Sequence, residues 1–263
     1  MNDQPQFLLI NKPIGWTSFD AVNFLRKKII REIASPPRAG RNDRIRVGHA
    51  GTLDPFATGL LIVGVGREAT KKLDEFKKLP KTYVANVQLG ATSTTDDPTG
   101  VITSYVIPSE PQRGDEESLS VIPTERSERR DPSASLGMTI DNKPTIGQIE
   151  QILKTFLGPQ LQTPPIYSAK KINGKRAYKF ARAGQTVELQ PVPIEIYDIK
   201  LLDYNYPLLK IEVTCSAGTY IRTIAKDIGE KLNTGAYCAE LTRTAIGSYF
   251  LKDAQELAKN LDN

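Results

Sequence analysis

The sequence predicts an α+β fold with a mixed or antiparallel central sheet flanked by helices. Segments with the period of a buried or half-buried strand interleave with amphipathic segments of helical period. They do not form a regular βαβ repeat, and several predicted strands lie close enough in sequence to form hairpins. With 263 residues, the chain is long enough to bury a sizeable hydrophobic core.

The first predicted elements lead to a loop that contains Asp54. An apolar run predicts a strand at residues 7–10, and Ser18 is placed to cap a helix at residues 19–33. Residues 31–46 contain two adjacent prolines and five arginines, which is typical of a loop with a basic face. The elements after Asp54 are predicted as a strand at 60–65, a helix at 68–78, a strand of period two at 81–89, a Thr- and Asp-rich loop at 91–100 and a strand at 101–107.

Residues 109–143 differ in composition from the rest of the chain. They contain 8 acidic and 5 basic residues, almost no aromatic residues and no helical or strand period. This composition predicts a disordered insertion, and its net charge of −3 leaves the remainder at about +8. We therefore expect one catalytic domain at 7–251 that contains this insertion, followed by a C-terminal helix or tail at 252–263.

The second half of the chain again mixes helices and strands. Thr145 is placed to cap an amphipathic helix that ends before a Gly-Pro pair. The predicted elements are a helix at 145–156, paired strands at 192–203 and 208–216, a helix at 220–232, a strand near 247–251 and a short helix at 254–261.

The composition narrows the possible functions. The formal charge of +5 and a pI near 9.0 favour a polyanionic partner such as nucleic acid. Cys215 and Cys238 form no CxxC pair and are typical of reduced thiols, and the single histidine, His49, makes a zinc site improbable. The N-terminus has no signal-peptide pattern and no apolar run reaches membrane-spanning length, so we expect a cytoplasmic protein that does not bind membranes.

The most informative run is GHAGTLDPFATGLL at residues 48–61. It places Asp54 between two glycine-bearing turns and directly before a buried strand. A carboxylate held in this way is either a structural turn residue or a catalytic group, and the run alone leaves both open. The GVGREA run at 64–69 has the spacing of a dinucleotide-binding turn, but no acid ends the next strand, so we reject a Rossmann site.

Two further runs contain candidate functional residues. In SAGTYIRT at 216–223, Arg222 lies at the start of a predicted helix, where a cation is unfavourable, which suggests a partner beyond the helix. The alternative is a solvated surface arginine. In KTY at 81–83, Tyr83 is either half-buried strand packing or an aromatic platform for a nucleobase.

Taken together and in this order, the motifs resemble those of the TruB-type tRNA pseudouridine synthases. The matching runs are NKPIGWTS at 11–18, GHAGTLDPFATGLL at 48–61, KTY at 81–83, GTYIR at 218–222 and LTRT at 241–244. The resemblance covers residues 8–251 apart from the insertion.

This resemblance implies isomerisation of a uridine in the T arm of tRNA, at position 55, to pseudouridine. It implies no redox cofactor and no metal, since reactant and product are isomers. We also expect a monomer without an obligate protein partner, because nothing in the sequence suggests a docking surface for one. We expect no separate PUA-type RNA-binding domain, which many bacterial members of the family carry.

The resemblance also assigns roles to individual residues. Asp54 is the carboxylate that acts on the ribose, as a nucleophile or as a base. Arg222 keeps it ionised and Tyr83 stacks on the target base. The resemblance further implies substrate-binding roles for His49, Tyr220, Leu241 and Lys12, with the lysine bracing the fold. From their positive charge, we also expect phosphate contacts for a set of arginines, Arg38, Arg41, Arg44 and Arg46.

One loop departs from the family pattern, and other functions remain as alternatives. The run STTDDPTG at 93–100 lacks the first acid of the family's T-D-T-x-D-x-x-G, so Asp96 or Asp97 must replace it. The alternatives are a tRNA-folding chaperone of the same fold with little catalysis, a guide-RNA-dependent relative and, through the GVGREA run, a nucleotide-dependent oxidoreductase.

Overall fold

The computed structural model describes residues 6–33, 45–105, 143–168, 170–172, 175–177, 180, 185 and 189–257. Four helices lie in these ranges: α1 (Ser18–Ile33), α2 (Arg67–Lys78), α3 (Ile146–Lys154) and α4 (Ile221–Lys231). The strands are β1 (Gln6–Lys12), β2 (Val47–Ala50), β3 (Thr58–Val65), β4 (Lys81–Leu89), β5 (Ala91–Ser93), β6 (Ile102–Ser104), β7 (Gly158–Gln162), β8 (Lys171–Ile172), β9 (Lys175–Arg176), β10 (Val192–Asn205), β11 (Leu208–Cys215), β12 (Ala236–Ile246), β13 (Tyr249–Phe250) and β14 (Gln255–Glu256).

A ten-stranded mixed sheet organises the molecule. Its order is β14-β1-β3-β12-β4-β11-β10-β7, with β2 added to β3 and β13 added to β12. Strand β12 runs parallel to β3 and β14 runs parallel to β1, whereas the other pairs in this sheet are antiparallel. The predicted α+β class with a mixed sheet is therefore confirmed.

Strand β3, which follows the Asp54 loop, is covered on both of its faces. Leu61 and Val63 pack in one cluster with residues of α1, whereas Leu60 and Ile62 pack in another with residues of α2. Burial of both faces explains why this strand reads as a continuous apolar run. The helices α3 and α4 contribute to a third and larger core with β4, β10, β11 and β12.

Strand β12 lies at the centre of the sheet, although the sequence pattern did not reveal it. The strand carries two register irregularities against β4, so its alternation of buried and exposed side chains is broken. Its Arg243 is also buried, with 1% of its surface exposed. A charged residue at a core position breaks the hydrophobic pattern by which a buried strand is recognised in a sequence.

Helix α1 begins one residue earlier than predicted, and its cap is Thr17 rather than Ser18. The Thr17 hydroxyl accepts a hydrogen bond from the Asp20 amide at 3.1 Å, and the Asp20 carboxylate accepts from the Thr17 amide at 2.8 Å. This reciprocal pair is a capping box. The Ser18 side chain is therefore available for a tertiary contact.

The C-terminal prediction needs a correction. A short helix was expected at 254–261, but residues 251–253 form a 3-10 turn and β14 follows as an edge strand beside β1. Leu257 then packs into the core beside α1, because an extended segment places this leucine against the sheet. Residues 258–263 and the predicted insertion, up to residue 142, lie outside the described residues.

Both cysteines are buried free thiols on strands that flank β4. Cys215 is on β11 and Cys238 is on β12, and neither side chain is exposed. Burial raises the pKa of Cys215 to about 11, and it also raises the pKa of Cys238. None of the helices in the described part of the chain has the length and hydropathy needed to span a membrane.

Candidate active site

The loop that carries Asp54 is held by hydrogen bonds to the first residue of α1 and to the segment before it. The Ser18 hydroxyl accepts from the Leu53 amide at 2.9 Å and donates to the Leu53 carbonyl at 3.3 Å. On the other side of Asp54, the Gly15 amide donates to the Pro55 carbonyl at 2.8 Å. Because both neighbours of Asp54 are held, its carboxylate has a defined position.

Arg222 is the residue to which the Asp54 carboxylate is paired. Its Nε lies 3.1 Å from Asp54 Oδ2, and its Nη1 lies 2.8 Å from Asp97 Oδ2. The guanidinium also donates to two backbone carbonyls, those of Thr95 at 3.0 Å and Tyr167 at 2.9 Å. With 3% of its surface exposed, Arg222 is a buried cation shared by two acids.

The two acids paired with Arg222 differ in access. The side chain of Asp97 is 6% exposed, and its Oδ1 accepts from the Thr95 hydroxyl at 2.7 Å and the Thr99 amide at 2.9 Å. The side chain of Asp54 is 37% exposed. Of the two carboxylates, Asp54 is therefore the one that a bound molecule can reach.

Asp97, and not Asp96, joins the arginine network. Asp96 has a left-handed backbone, with φ of 58°, and its carboxylate interacts most strongly with Lys226. Burial raises the pKa of Asp96, and the Lys226 ammonium opposes this rise. The sequence could not choose between the two acids, because the choice depends on the backbone of one turn.

Burial raises the pKa of Asp54, and the Arg222 guanidinium is the main interaction that opposes this rise. Asp97 adds to the rise because it is a second negative charge nearby. The guanidinium thus favours the ionised form of Asp54 and partly offsets the effect of burial, although the pKa stays above its usual value.

A cavity of about 210 Å³ opens at Asp54. This volume is below the range of drug-sized sites, about 300–1,000 Å³, and suits a group the size of one nucleobase. Five of the seven predicted site residues line the cavity, namely Asp54, Tyr83, Tyr220, Arg222 and Leu241.

Tyr83 reaches the cavity from β4 and is paired across the sheet with Arg243 of β12. Burial raises the pKa of Tyr83, although the positive charge of Arg243 opposes the rise. The phenol is therefore protonated at neutral pH and presents an uncharged ring to the cavity.

Tyr220 and Leu241 contribute to the same wall from different elements. Tyr220 precedes α4, and Gln162 holds its backbone by accepting from the Tyr220 amide at 2.8 Å and donating to its carbonyl at 3.0 Å. Leu241 lies on β12 and is 6% exposed. Both positions are therefore fixed by secondary structure and not by a free loop.

The other two predicted residues, His49 and Lys12, lie outside the cavity. His49 is on β2 and lines a larger groove of about 1700 Å³ that also contains Asp54. Lys12 is fully buried, and its ammonium donates to the carbonyls of Pro13 at 3.0 Å and Trp16 at 2.7 Å. Burial lowers the pKa of Lys12 to about 8. Its position fits a brace for the turn before α1.

The groove that continues from the cavity is lined by cationic side chains. Arg26 of α1, Arg46 and Lys77 of α2 lie along it, together with Asp54. The predicted phosphate contacts Arg38, Arg41 and Arg44 lie outside the described residues. The described groove nevertheless has the charge expected of a surface for an anionic polymer.

A family model for TruB family pseudouridylate synthases (N terminal domain) matches residues 40–122 and 124–221. This chain belongs to the TruB family. It is therefore an enzyme of the isomerase class, as the motifs predicted. Relatives named tRNA pseudouridine synthase B include those of Parabacteroides distasonis, 41% identical over 94% of this chain and 87% of the relative, and Protochlamydia amoebophila, 39% identical over 94% and 76%.

Two solved structures share the fold of this chain. A Cbf5-Nop10-Gar1 complex contains a chain with a TM-score of 0.58 and 22% identity, and a substrate-bound H/ACA RNP contains one with a TM-score of 0.56 and 20% identity. Each match covers 95% of this chain but only 52% and 50% of the other. This chain thus spans about half the length of those two.

The sequence did not single out three residues that line the cavity, Arg243, Ser168 and Lys77, and it left the choice between Asp96 and Asp97 open. Arg243 donates to the Leu60 carbonyl at 2.8 Å and the Gly51 carbonyl at 3.1 Å. The LTRT run contained a signal for Arg243. Ser168 and Lys77 gave no signal, because a serine after a Pro-rich run and a lysine on a charged helix are ordinary surface patterns.

Proposed function

We propose that this chain isomerises a uridine in the T arm of a tRNA, at position 55, to pseudouridine, with Asp54 acting on the ribose and without a cofactor. The observation that carries the proposal is the accessible Asp54 carboxylate, held by Arg222 at a cavity of nucleobase size. The names of the relatives support tRNA as the substrate.

The reaction changes bonds without changing composition. The N1–C1′ bond of the uridine breaks, the base turns over, and C5 bonds to C1′. The hydrogen on C5 leaves as a proton, and N1 ends with a proton, so no oxidant or reductant is needed. Asp54 acts by attacking C1′ or by taking a proton from C2′, and either step requires the ionised carboxylate.

The residues around Asp54 would stabilise its charge and bind the base. Arg222 keeps Asp54 charged, and Asp97 fixes the guanidinium from its other side. The neutral ring of Tyr83 offers a stacking surface to the base, and Tyr220 and Leu241 complete the wall. A base in a folded arm must leave its stack to reach this cavity.

The groove is the surface that we propose for the tRNA. Its cations, Arg26, Arg46 and Lys77, would contact phosphates, and His49 would support the flipped nucleotide where the groove meets the cavity. One chain provides Asp54, Arg222, Asp97 and the cavity, which supports action as a monomer without an obligate protein partner.

Release of tritium from C5-labelled uridine in a tRNA transcript tests this function. We expect the wild type to release tritium, and Asp54→Asn to lose more than about 1,000-fold in rate. Asp198→Asn, in an exposed ion pair on β10, is the matched control and should keep the wild-type rate. A transcript with cytidine at position 55 should release nothing.

Each alternative result has a separate meaning. Release from the position-55 variant transcript would place the target elsewhere. A wild type that binds tRNA but releases no tritium would contradict catalysis and favour the folding chaperone. Full activity of Asp54→Asn would contradict its role.

A further inference from the structure

Ser168 lies where the cavity opens into the groove, and it lines both, as Asp54 and Arg222 do. Its side chain is buried, with 4% of the residue exposed. Within the described parts of the chain, its Oγ has no hydrogen-bond partner of normal geometry. A buried hydroxyl without a partner lowers the stability of a protein, so its presence at this site is unexpected unless it has a function.

The backbone around Ser168 is tied to the arginine network. The carbonyl of Tyr167 accepts from Arg222 Nη2 at 2.9 Å, and the Ser168 amide donates to the Ile166 carbonyl at 3.0 Å. The Ser168 hydroxyl also lies beside the Tyr220 phenol and interacts with it, which opposes the rise that burial causes in the pKa of that phenol, although the pair does not reach normal hydrogen-bond geometry. Ser168 is therefore held in a defined place relative to Asp54.

Several other polar side chains of the cavity wall already have partners, although Arg222 Nε, which is ion-paired with Asp54, has no hydrogen bond of normal geometry. Arg243 donates to two backbone carbonyls, Lys81 donates to the carbonyls of Lys77 and Leu79, and Thr219 donates to the carbonyl of Ser216. The Ser168 hydroxyl is thus a buried group of this wall whose hydrogen bonding is not satisfied.

We propose that the Ser168 hydroxyl hydrogen-bonds an oxygen of the target nucleotide and so supplies a contact that the free enzyme lacks. This rests on the proposed function. A serine hydroxyl both donates and accepts, so a base carbonyl and the ribose 2′-hydroxyl share the required chemistry.

Single-turnover rates and affinities of Ser168→Ala test this contact. On an RNA stem-loop with uridine at the target, we expect the rate to fall at least about fivefold. Affinity is then measured in the Asp54→Asn background, which does not react, for targets carrying uridine, 2-thiouridine, 4-thiouridine or 2′-deoxyuridine. Ser168→Ala should weaken the binding of every RNA except the one whose target lacks the partner oxygen. An exception for a thiouridine would indicate a base carbonyl, and an exception for 2′-deoxyuridine would indicate the ribose hydroxyl.

Stability separates this role from a structural one. Because the hydroxyl has no hydrogen bond of normal geometry within the described part of the free protein, Ser168→Ala should leave the thermal midpoint unchanged or raise it. The matched control is Thr223→Val, which removes another buried hydroxyl without a partner, outside the lining of the cavity and groove in the described structure. This variant should keep the wild-type rate and affinity.

Three results would overturn the contact: a wild-type rate for Ser168→Ala, equal weakening for all four RNAs, or a loss accompanied by a lower thermal midpoint. Wild-type activity is measured in the same assay. If the wild type reacts and Ser168→Ala equals it, only this inference fails. If the wild type releases no tritium, the proposed function itself fails.

Discussion

Arg222 is an arginine in the first turn of a helix, where the partial positive charge of the helix end disfavours a cation. Two carboxylates and two backbone carbonyls offset this unfavourable position. The sequence indicated that this arginine needs a partner beyond its helix, and it indicated Asp54 through the family motif. It could not indicate Asp97, because the backbone of a Thr-rich turn decides which neighbouring acid points inward.

The raised pKa of Asp54 predicts the acidic limb of the pH profile. An acid with a raised pKa stays protonated to a higher pH, and protonated Asp54 can neither attack nor accept a proton. The single-turnover rate should therefore fall about tenfold per pH unit below a midpoint that lies above the ordinary value of 3.8. Rates from pH 4 to 8, with circular dichroism to verify folding, measure this midpoint.

Arg222→Gln provides the comparison for this profile. Removal of the guanidinium takes away the charge that opposes protonation, so the midpoint should move to higher pH. A wild-type midpoint at or below 3.8 would contradict the effect of burial on Asp54.

At the scale of elements, the strands with regular patterns were predicted well and the central strand was not. The alternation of β4 and the apolar run of β3 gave both strands within two residues of their observed bounds. β12 was missed because its bulges break the period and its buried Arg243 resembles a surface residue. The start of α1 was nearly right, but the serine thought to cap it holds the Asp54 loop instead.

Because Ser18 holds the Asp54 loop and does not cap α1, we predict that Ser18→Ala affects catalysis as well as stability. Loss of both hydrogen bonds to Leu53 should lower the free energy of unfolding by about 1–3 kcal/mol. It should also lower the single-turnover rate at least about tenfold, because the Asp54 loop loses its anchor. Urea unfolding and tritium release measure the two effects.

Thr145→Ala is the matched control for the anchor. This threonine forms the capping box of α3, so its loss should lower stability by about 1 kcal/mol without a change in rate. If Ser18→Ala slowed the reaction no more than Thr145→Ala, the slowing would reflect general destabilisation and not the loop.

At the scale of the whole molecule, part of the excess positive charge lies along the groove. The charge predicted a polyanionic partner, and the structure places Arg26, Arg46 and Lys77 along a groove that ends at Asp54. Composition gave the sign of the charge but not its location, because the groove forms between elements far apart in sequence.

Lys77 is expected to contact a phosphate of the bound RNA. It lines both the cavity and the groove, and its ammonium pairs with the exposed Asp74 at 2.7 Å, from which a phosphate can draw it. Lys77→Ala should reduce the slope of log affinity against log salt by about 0.7–0.9, and the rate at saturating RNA should stay near the wild-type value. Filter binding at several salt concentrations measures the slope.

Lys154→Ala removes the same charge from α3, outside the groove, and should leave the slope unchanged. Equal slopes for wild type and Lys77→Ala would exclude this phosphate contact.

The two buried thiols give the enzyme a built-in reporter of its own unfolding. Alkylating reagents attack the thiolate, and Cys215 and Cys238 are both covered and held in the thiol form by their raised pKa. Because each lies on a strand beside β4, modification requires the centre of the sheet to open. The rate of alkylation therefore reports how often the core opens. It allows the stabilities of the variants above to be compared without an added label.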